Sequence, residues 1–323
     1  MAAPDFQEIE LALTSTAMAG DAGGLYRIAS NLMDEGVAFD TLLFDYLMET
    51  ERSVGHRWAQ GDYLVPEEHA VTAAIETVIS LLTGMLDQPD DGPLVVIATA
   101  EGDEHSLPAR AVSANLLFQG YRTIFLGADL PGEQLSEFLE AEEPVALVLS
   151  VAMSTHLLGA RSVVEAAHAA GVPVLVGGKA FGPNGTWSAA VGADRWVASL
   201  REVEGVVEGW AESPPELKDV PAISEDLAAL RENRSIVAAL ADKALGAESA
   251  GRLGMEVRLL IAAVEGSMLT GDDHLVEQML DWQRTSLTAH GHDPEKVVEA
   301  LEGPLADHSP AGSEVLTRVA ARA

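Results

Sequence analysis

The chain has 323 residues and a formal net charge of −32, from 51 acidic and 19 basic side chains, and it contains no cysteine. This negative field opposes the phosphates of nucleic acids and of anionic membranes, so we expect neither as a direct partner. The lack of cysteine excludes disulfides, thiolate metal sites and cysteine-linked chromophores. The sequence has no basic leader and no apolar run of about 18 residues, so we expect a cytoplasmic protein without a membrane span.

Residues 4–88 have the apolar periodicity of helices throughout. Four stretches are separated by short breaks, of which Gly20-Asp21 is the first, and the third and fourth stretches extend over 39–58 and 66–86. Four helices joined by short loops predict an antiparallel four-helix bundle. On periodicity alone, the bundle is equally well interpreted as a packing or dimerisation module without ligand contact.

Residues 93–212 follow an acidic, proline-containing linker and alternate between short apolar runs and helical segments. The runs predict five strands, at 94–99, 123–126, 145–150, 172–176 and 195–198. Such an alternation predicts a doubly wound parallel sheet of the flavodoxin-like kind. Ligands of these sheets bind at the carboxyl ends of the strands, so the residues that follow each strand are the candidates for a site.

Residues 222–323 follow a second proline-rich linker and carry only helical periodicity. They predict helices over 224–245, 252–269 and 273–289, and one more that begins at Asp293-Pro294. The expected fold class is therefore α/β plus α: a four-helix bundle, a five-stranded parallel domain and an all-helical C-terminal domain.

Three polar or glycine elements stand at predicted strand ends. Asp103 and His105 follow the first strand, Ser150 ends the third, and Gly177-Gly178 ends the fourth. A lone loop histidine is most often a solvated surface residue. Together, however, the three elements resemble the cobalamin-binding domain of methionine synthase, the mutases and the light-sensing repressors of the CarH type. That family has Asp-x-His-x-x-Gly, then Ser-x-Val or Ser-x-Thr, then Gly-Gly, and the resemblance covers about residues 93–210.

The resemblance implies that cobalamin binds base-off with His105 as the lower ligand of cobalt. Asp103 would then hold the other ring nitrogen, which fixes the tautomer and raises the basicity of the ligand. Ser150 would hydrogen-bond in the slot for the displaced nucleotide tail, and Gly177 and Gly178 would leave that slot unobstructed. Met153 and Ser154, after the third strand, are further candidate pocket residues. Met153 is equally open to interpretation as ordinary packing. One departure is Pro108, which stands where the family motif has glycine.

A second motif lies in the bundle, where nine residues separate Trp58 from Glu68-His69. It resembles the Trp-x9-Glu-His motif of CarH-type photoreceptors. The resemblance implies that Trp58 packs on the adenosyl group, Glu68 bonds its ribose and His69 lies beside it. Those repressors place a histidine after the tryptophan to capture cobalt after photolysis, but this chain has Ala59. His56, His69 or water are the alternatives. No basic helix-turn-helix is present, so we expect no operator binding.

The arrangement of parts resembles the photocobilins, in which a CarH-like unit is fused to a C-terminal domain that binds a bilin. Without cysteine, biliverdin would be held noncovalently in an apolar slot with cations for its propionates. The candidate residues are Trp282, Met255, Met279, Leu259, Met268, Arg252, Arg258, Arg284, His274 and His290. Each of them is individually more often core or solvated surface.

The sequence therefore predicts an adenosylcobalamin-binding light sensor rather than an enzyme, in which cleavage of the cobalt–carbon bond changes domain packing. A homo-oligomer or a downstream signalling protein would receive that change. The alternative is a corrinoid methyl carrier that serves a separate methyltransferase. A small subunit of a radical mutase is a weaker interpretation, because no barrel domain of about 250 residues is present.

Overall fold

The computed structural model describes residues 6–322, and within them every side chain except those of residues 6–8, 248 and 252. The predicted domain limits at residues 4 and 323 and the side chain of Arg252 lie outside the described residues. The chain forms a helical bundle, then a parallel sheet with helices on its faces, then a further group of helices. The predicted fold class is confirmed.

The bundle consists of four helices. They are α1 (Phe6–Met18), α2 (Ala22–Asp34), α3 (39–59) and α4 (Val65–Thr83). Asp21 accepts a hydrogen bond from Gly24 N (2.7 Å) and caps α2. Pro66 occupies the first turn of α4, where its missing N–H costs nothing. The apolar core of the bundle also includes Leu107 and Ala111 from the sheet domain, so the two parts share one packed interface.

Helix α3 is not uniformly α-helical. Phe39–Thr41 and Met48–Ala59 are α-helical, and the six residues Leu42–Leu47 between them form a π-helical turn. Met48 N donates to Leu43 O, five residues earlier, which is the π pattern. The apolar spacing predicted one continuous helix here and does not distinguish this turn from an α-helical one.

The sheet has five parallel strands in the order β2-β1-β3-β4-β5. The strands are β1 (Leu94–Ala100), β2 (Arg122–Leu130), β3 (Ala146–Ser150), β4 (Val174–Gly177) and β5 (Arg195–Val197). The helices between and after them are α5 (Leu107–Phe118), α6 (Leu135–Glu142), α7 (Leu157–Ala169) and α8 (Val203–Glu212). Apolar cores lie on both faces of the sheet, as expected for this order of strands.

Two details of the sheet domain differ from the sequence prediction. Strand β2 continues to Leu130, four residues past its expected end, with shifts in its pairing register around Gly127. The helical segment that the alternation predicts between β4 and β5 consists instead of short 3₁₀ turns, which include Pro183–Gly185 and Ser188–Val191. Gly185 and Gly192 adopt positive φ there, which ends each turn before a helix forms.

The C-terminal part contains α9 (Glu225–Leu245), α10 (Ala247–Thr270), α11 (His274–Ala289), α12 (Glu295–His308) and α13 (Pro310–Ala320). They enclose an apolar core of their own. Within the described residues, none of the helices combines the length and the apolar character that a membrane span requires.

The C-terminal helices pack on both preceding parts. Leu275 of α11 is fully buried in the core of the sheet domain, and Met153 of the sheet domain packs on the C-terminal core. Trp187 Nε1 donates to Asp272 Oδ2 (2.9 Å) just before α11 begins. The three parts therefore form one continuous packed body around the carboxyl ends of β1, β3 and β4.

Candidate functional site

The loop after β1 is held by hydrogen bonds from its own strand and from β2. Thr99 Oγ1 donates to Asp103 O (2.6 Å) and accepts from Asp129 N (2.9 Å). Asp129 Oδ1 accepts from Gly102 N (2.7 Å). With its backbone tied on both sides, the loop presents the side chains of Asp103 and His105 in fixed positions at the edge of the sheet.

Asp103 and His105 form a hydrogen-bonded pair. His105 Nδ1 lies 2.7 Å from Asp103 Oδ1, and Asp103 Oδ2 accepts from Ala152 N (2.7 Å) in the loop after β3. The Asp103 side chain is 0% exposed, whereas that of His105 is 53% exposed. Within residues 6–322 we find no hydrogen bond to Nε2 of His105. Because Nδ1 faces the carboxylate, this arrangement leaves the lone pair on Nε2, which points away from the pair.

Burial alone would raise the pKa of Asp103, but hydrogen bonds from the His105 ring and from the backbone N–H groups of Ala152 and His105 hold that pKa below its ordinary value. The hydrogen bond to Asp103 raises the pKa of His105, against the opposite effect of burial. The carboxylates of Glu51 and Glu68 raise it further. The pair is therefore a basic imidazole backed by a buried carboxylate.

The ends of β3 and β4 meet beside this loop. Ser150 pairs with Gly177 in the parallel register, so the structure brings these two predicted residues together. Gly178 follows with φ 111°, and a Cβ built on it would clash with the backbone of Val151. A Cβ on Gly177 would meet nothing closer than 3.6 Å, at Val197 Cγ2. Gly178 is thus required by the backbone, whereas Gly177 leaves room in front of the strand.

Two carboxylates of the bundle interact electrostatically with His105. Glu68, in the first turn of α4, accepts from Thr72 Oγ1 (3.0 Å) and bonds the ring of His69, which is itself exposed. Glu51 of α3 is a residue that the sequence analysis missed. Burial and then the charge of Glu68 raise its pKa, while His105 and Lys179 act against that rise. Glu51 precedes Trp58 by seven residues, two helical turns, and this spacing was the available signal.

Trp58 lies at the end of α3 and faces the C-terminal helices. Its ring centroid is 6.3 Å from that of Trp282 and 5.9 Å from that of His290. Its Nε1 is buried and has no hydrogen-bond partner within the described residues. Ala59 is the last residue of the helix, and His56 is exposed, with Nε2 3.0 Å from the side chain of Gln60.

The loop after β3 carries Met153 and Ser154 into contact with the C-terminal helices. Met153 packs on their core, which is the packing interpretation allowed for it by the sequence. A Cβ built on Gly266 of α10 would lie 3.5 Å from Ser154 O. His156, which the sequence analysis did not select, is close to Gly102, and burial lowers its pKa, with further lowering by His105 and Arg234.

Pro108 is the second residue of α5, a position that tolerates its missing N–H. The preceding Ser106 donates to Glu76 Oε1 of α4 (2.7 Å), and Arg110 NH1 donates to Ser80 Oγ (3.2 Å). The start of α5 therefore lies against the bundle, directly after the loop that contains His105.

Four of the apolar residues proposed for a bilin slot belong to the C-terminal core or pack on it, and the fifth is exposed. Met255 is 65% exposed, Met279 lies in the C-terminal core, and Trp282 packs toward Trp58. Met268 and Leu259 pack on that core from its edge. The charged members are engaged elsewhere: Arg258 with Asp242, Arg284 with Asp281, His274 with Glu277, and His290 with Ser286 O. Biliverdin binding in this domain stays a prediction, since none of these contacts tests it.

Two family models match the chain. Residues 93–209 match a model described as a B12 binding domain, and residues 10–83 match a second model with the same description. The chain contains a B12-binding module. The module spans the bundle and the sheet domain, and residues 210–323, which include the C-terminal helices, lie outside both matches.

Proteins similar to this chain include corrinoid proteins. The trimethylamine corrinoid protein of Methanosarcina barkeri is 26% identical over 163 residues, which cover 48% of this chain and 74% of the relative. A corrinoid protein of Desulfitobacterium hafniense (strain Y51) is 25% identical over 190 residues, 55% of this chain and 85% of the relative. The solved monomethylamine corrinoid protein of M. barkeri matches the B12-binding module with a TM-score of 0.53 at 22% identity, over 64% of this chain and all of that chain, which shows a shared fold.

Proposed function

We propose that this chain holds a corrinoid between the bundle and the sheet, base-off, with Nε2 of His105 as the lower ligand of cobalt. The observation that carries the proposal is the orientation of the Asp103–His105 pair. Its buried carboxylate occupies Nδ1, and the half-exposed ring leaves Nε2 without a hydrogen bond within the described residues.

The residues present fit such a group. An imidazole nitrogen is a common ligand of transition metals. The carboxylate that orients such an imidazole is already in place, because Asp103 holds the other ring nitrogen. Ser150 and Gly177 pair beside the loop, and neither a large nor a charged side chain stands at these two positions to oppose a nucleotide tail. Pro108 lies in the first turn of α5 and adds no charge to this slot.

We infer further that the chain is a methyl carrier rather than a catalyst. A bound corrinoid supplies a cobalt ion that takes up and releases a methyl group. The relatives named as methylamine corrinoid proteins support this function over light sensing. In this function His105 would hold the metal from below, Asp103 would keep the imidazole basic, and the bundle would exclude water from the upper face. A separate methyltransferase would be the partner.

Replacing His105 with alanine tests the proposal. The purified full-length chain is mixed with hydroxocobalamin, separated from free corrinoid and examined by absorption, and by electron paramagnetic resonance after reduction to Co(II). We expect wild type labelled with ¹⁵N-histidine to retain corrinoid with ¹⁵N splitting from an imidazole, and H105A to lose that splitting, because dimethylbenzimidazole gives only ¹⁴N splitting. His274→Ala is the control, because His274 is an exposed histidine paired with Glu277. Unchanged splitting in H105A would contradict the proposal.

A second candidate function is light sensing with adenosylcobalamin. It is supported by the Trp58, Glu68 and His69 motif and by the action of the Glu68 charge on His105, which puts this motif on the bundle side of the site. Noncovalent biliverdin in the C-terminal domain was expected with this function and stays a prediction.

Parallel loading with methylcobalamin and adenosylcobalamin discriminates between the two functions. A carrier is expected to transfer the methyl group to a thiol acceptor when a corrinoid methyltransferase is added, and to behave alike in sedimentation before and after illumination. A light sensor is expected to change its sedimentation after green light only when adenosylcobalamin is bound. Glu68→Gln should weaken that response, whereas Glu67→Gln, on the neighbouring residue, should leave it intact.

A further inference from the structure

Trp58 is held by ring contacts and not by a hydrogen bond. Its indole Nε1 is buried without a partner in the described part of the chain, so nothing polar fixes the orientation of the ring. Two aromatic rings lie beside it. Trp282 belongs to α11, and His290 is the residue directly after that helix. The position of Trp58 therefore depends on the C-terminal helices, outside the matched B12-binding module.

Helix α11 is itself anchored on the sheet domain. At its start, Leu275 is fully buried in the sheet-domain core, and Asp272 accepts a hydrogen bond from Trp187, which is 2% exposed. At its end, Ala289 packs close to Gly61, the second residue after α3. A Cβ placed on Gly61 would lie 3.4 Å from Ala289 Cβ. Sixteen residues of helix span about 24 Å. The helix thus connects the sheet domain to the end of α3 along a rigid path.

We infer that Trp282 and His290 are positioning residues for Trp58, and that the C-terminal domain is by this contact a third wall of the corrinoid site. This inference rests on the proposed function and on the motif of Trp58, Glu68 and His69, whose resemblance implies that the indole covers the upper face of the bound corrinoid. The third wall keeps the indole of Trp58 over that face. Removing Trp282 would let the indole swing away and open the upper face to small solutes, without any change at His105.

The rate at which cyanide reaches the upper face of bound hydroxocobalamin measures this opening. Full-length wild type and variants are loaded with hydroxocobalamin, and cyanide uptake is followed by absorption. Because aromatic pairs of this kind contribute up to a factor of about ten, we expect Trp282→Ala to accelerate uptake by about tenfold. The imidazole splitting in the Co(II) form should be unchanged. Trp282→Phe, which keeps a ring, should return the rate toward wild type.

Two further variants complete the experiment. Gln278→Ala changes an exposed residue of the same helix and should leave the rate unaltered. His290→Ala changes an exposed residue, so it tests the inference even if Trp282→Ala fails to fold, and it should also accelerate uptake. If Trp282→Ala and His290→Ala take up cyanide at the same rate as loaded wild type, the inference is overturned and the proposed function still stands. Wild type that retains no hydroxocobalamin would overturn the proposed function and this inference with it.

Discussion

Asp103 differs from a surface carboxylate in its burial and in the number of its hydrogen bonds. It accepts from the ring and the backbone of His105 and from Ala152 N, and its side chain has no exposed surface. Such a buried, saturated carboxylate orients the imidazole and also joins the loop after β1 to the loop after β3. The family motif predicted the first of these roles, but the bond to Ala152 connects residues 49 positions apart and has no signal in the local sequence.

Asp103→Asn should weaken the hold on the corrinoid while the fold is kept. Asparagine preserves the shape and some hydrogen bonds, but it no longer raises the basicity of His105. Outer-shell changes of this kind typically cost about 10- to 100-fold in metal affinity. The dissociation rate of bound hydroxocobalamin measures the effect. Glu104→Gln, on the exposed carboxylate between the pair, is the control, and equal rates for the two variants would refute this role of Asp103.

Glu265 is a buried carboxylate of α10, 1% exposed, with Arg234 NH1 3.5 Å away. Burial raises its pKa above the ordinary value near 4.5, against the effect of Arg234 and Arg231. The folded state therefore holds this proton more tightly than the unfolded chain. The stability that the proton contributes is complete below about pH 4.5 and is lost as pH rises through the folded-state pKa.

Glu265→Gln should accordingly increase the free energy of unfolding at pH 7 to 8, by on the order of 1 kcal/mol, and the gain should shrink toward pH 4.5. Arg234 is half exposed and stays solvated when its partner is neutral, so the loss of the ion pair is the smaller effect. Urea unfolding at several pH values measures the difference. A variant that is less stable than wild type at pH 8 would show that the ion pair outweighs burial.

At the scale of elements, the strands were the most predictable part. Short runs of Val, Ile and Leu buried on both faces mark β1, β3 and β4 in the sequence, because a parallel sheet covered by helices needs no polar face. The residues at which the strands end were less predictable. Gly127 and Asp129 adopt positive φ in the last part of β2, and this conformation comes from the loop that Asp129 stabilises, not from the composition of the strand.

Gly177 and Gly178 are adjacent in sequence but differ in what they require. Gly178→Ala should destabilise the fold by about 1–3 kcal/mol, since it combines positive φ with a clash against Val151. Gly177→Ala has ordinary space and should leave the melting temperature nearly unchanged, but in the proposed nucleotide slot it should lower corrinoid affinity. Thermal unfolding of the apoprotein and titration with hydroxocobalamin separate the two. Equal melting temperatures for the two variants would contradict this assignment.

At the scale of the whole molecule, the packing of the domains on one another was the least predictable feature. Periodicity predicted each helix of the C-terminal domain but not the surface on which those helices pack. The contact of Trp58 with Trp282 joins side chains 224 positions apart, and an indole at the end of an amphipathic helix has the same local pattern whichever ring it meets.

Because α11 shares the core of the sheet domain, the sheet and the C-terminal helices should unfold together. Leu275→Ala removes a fully buried side chain at their junction and should lower the free energy of unfolding by about 2–5 kcal/mol in one cooperative transition. Circular dichroism and tryptophan fluorescence during urea unfolding should give coincident curves. Leu11→Ala, on a side chain that is 72% exposed in the bundle, is the control. Two separate transitions in wild type would contradict this coupling.

The π-helical turn Leu42–Leu47 has a consequence for the direction in which the rest of α3 faces. A helix rotates by about 100° for each residue, so the additional residue of a wider turn swings everything after it through roughly that angle. Glu51 and Trp58 both come after the turn. Shortening it by a single residue would leave the composition of the bundle nearly intact, yet it would turn Glu51 away from His105 and Trp58 away from Trp282 by about a quarter of a circle.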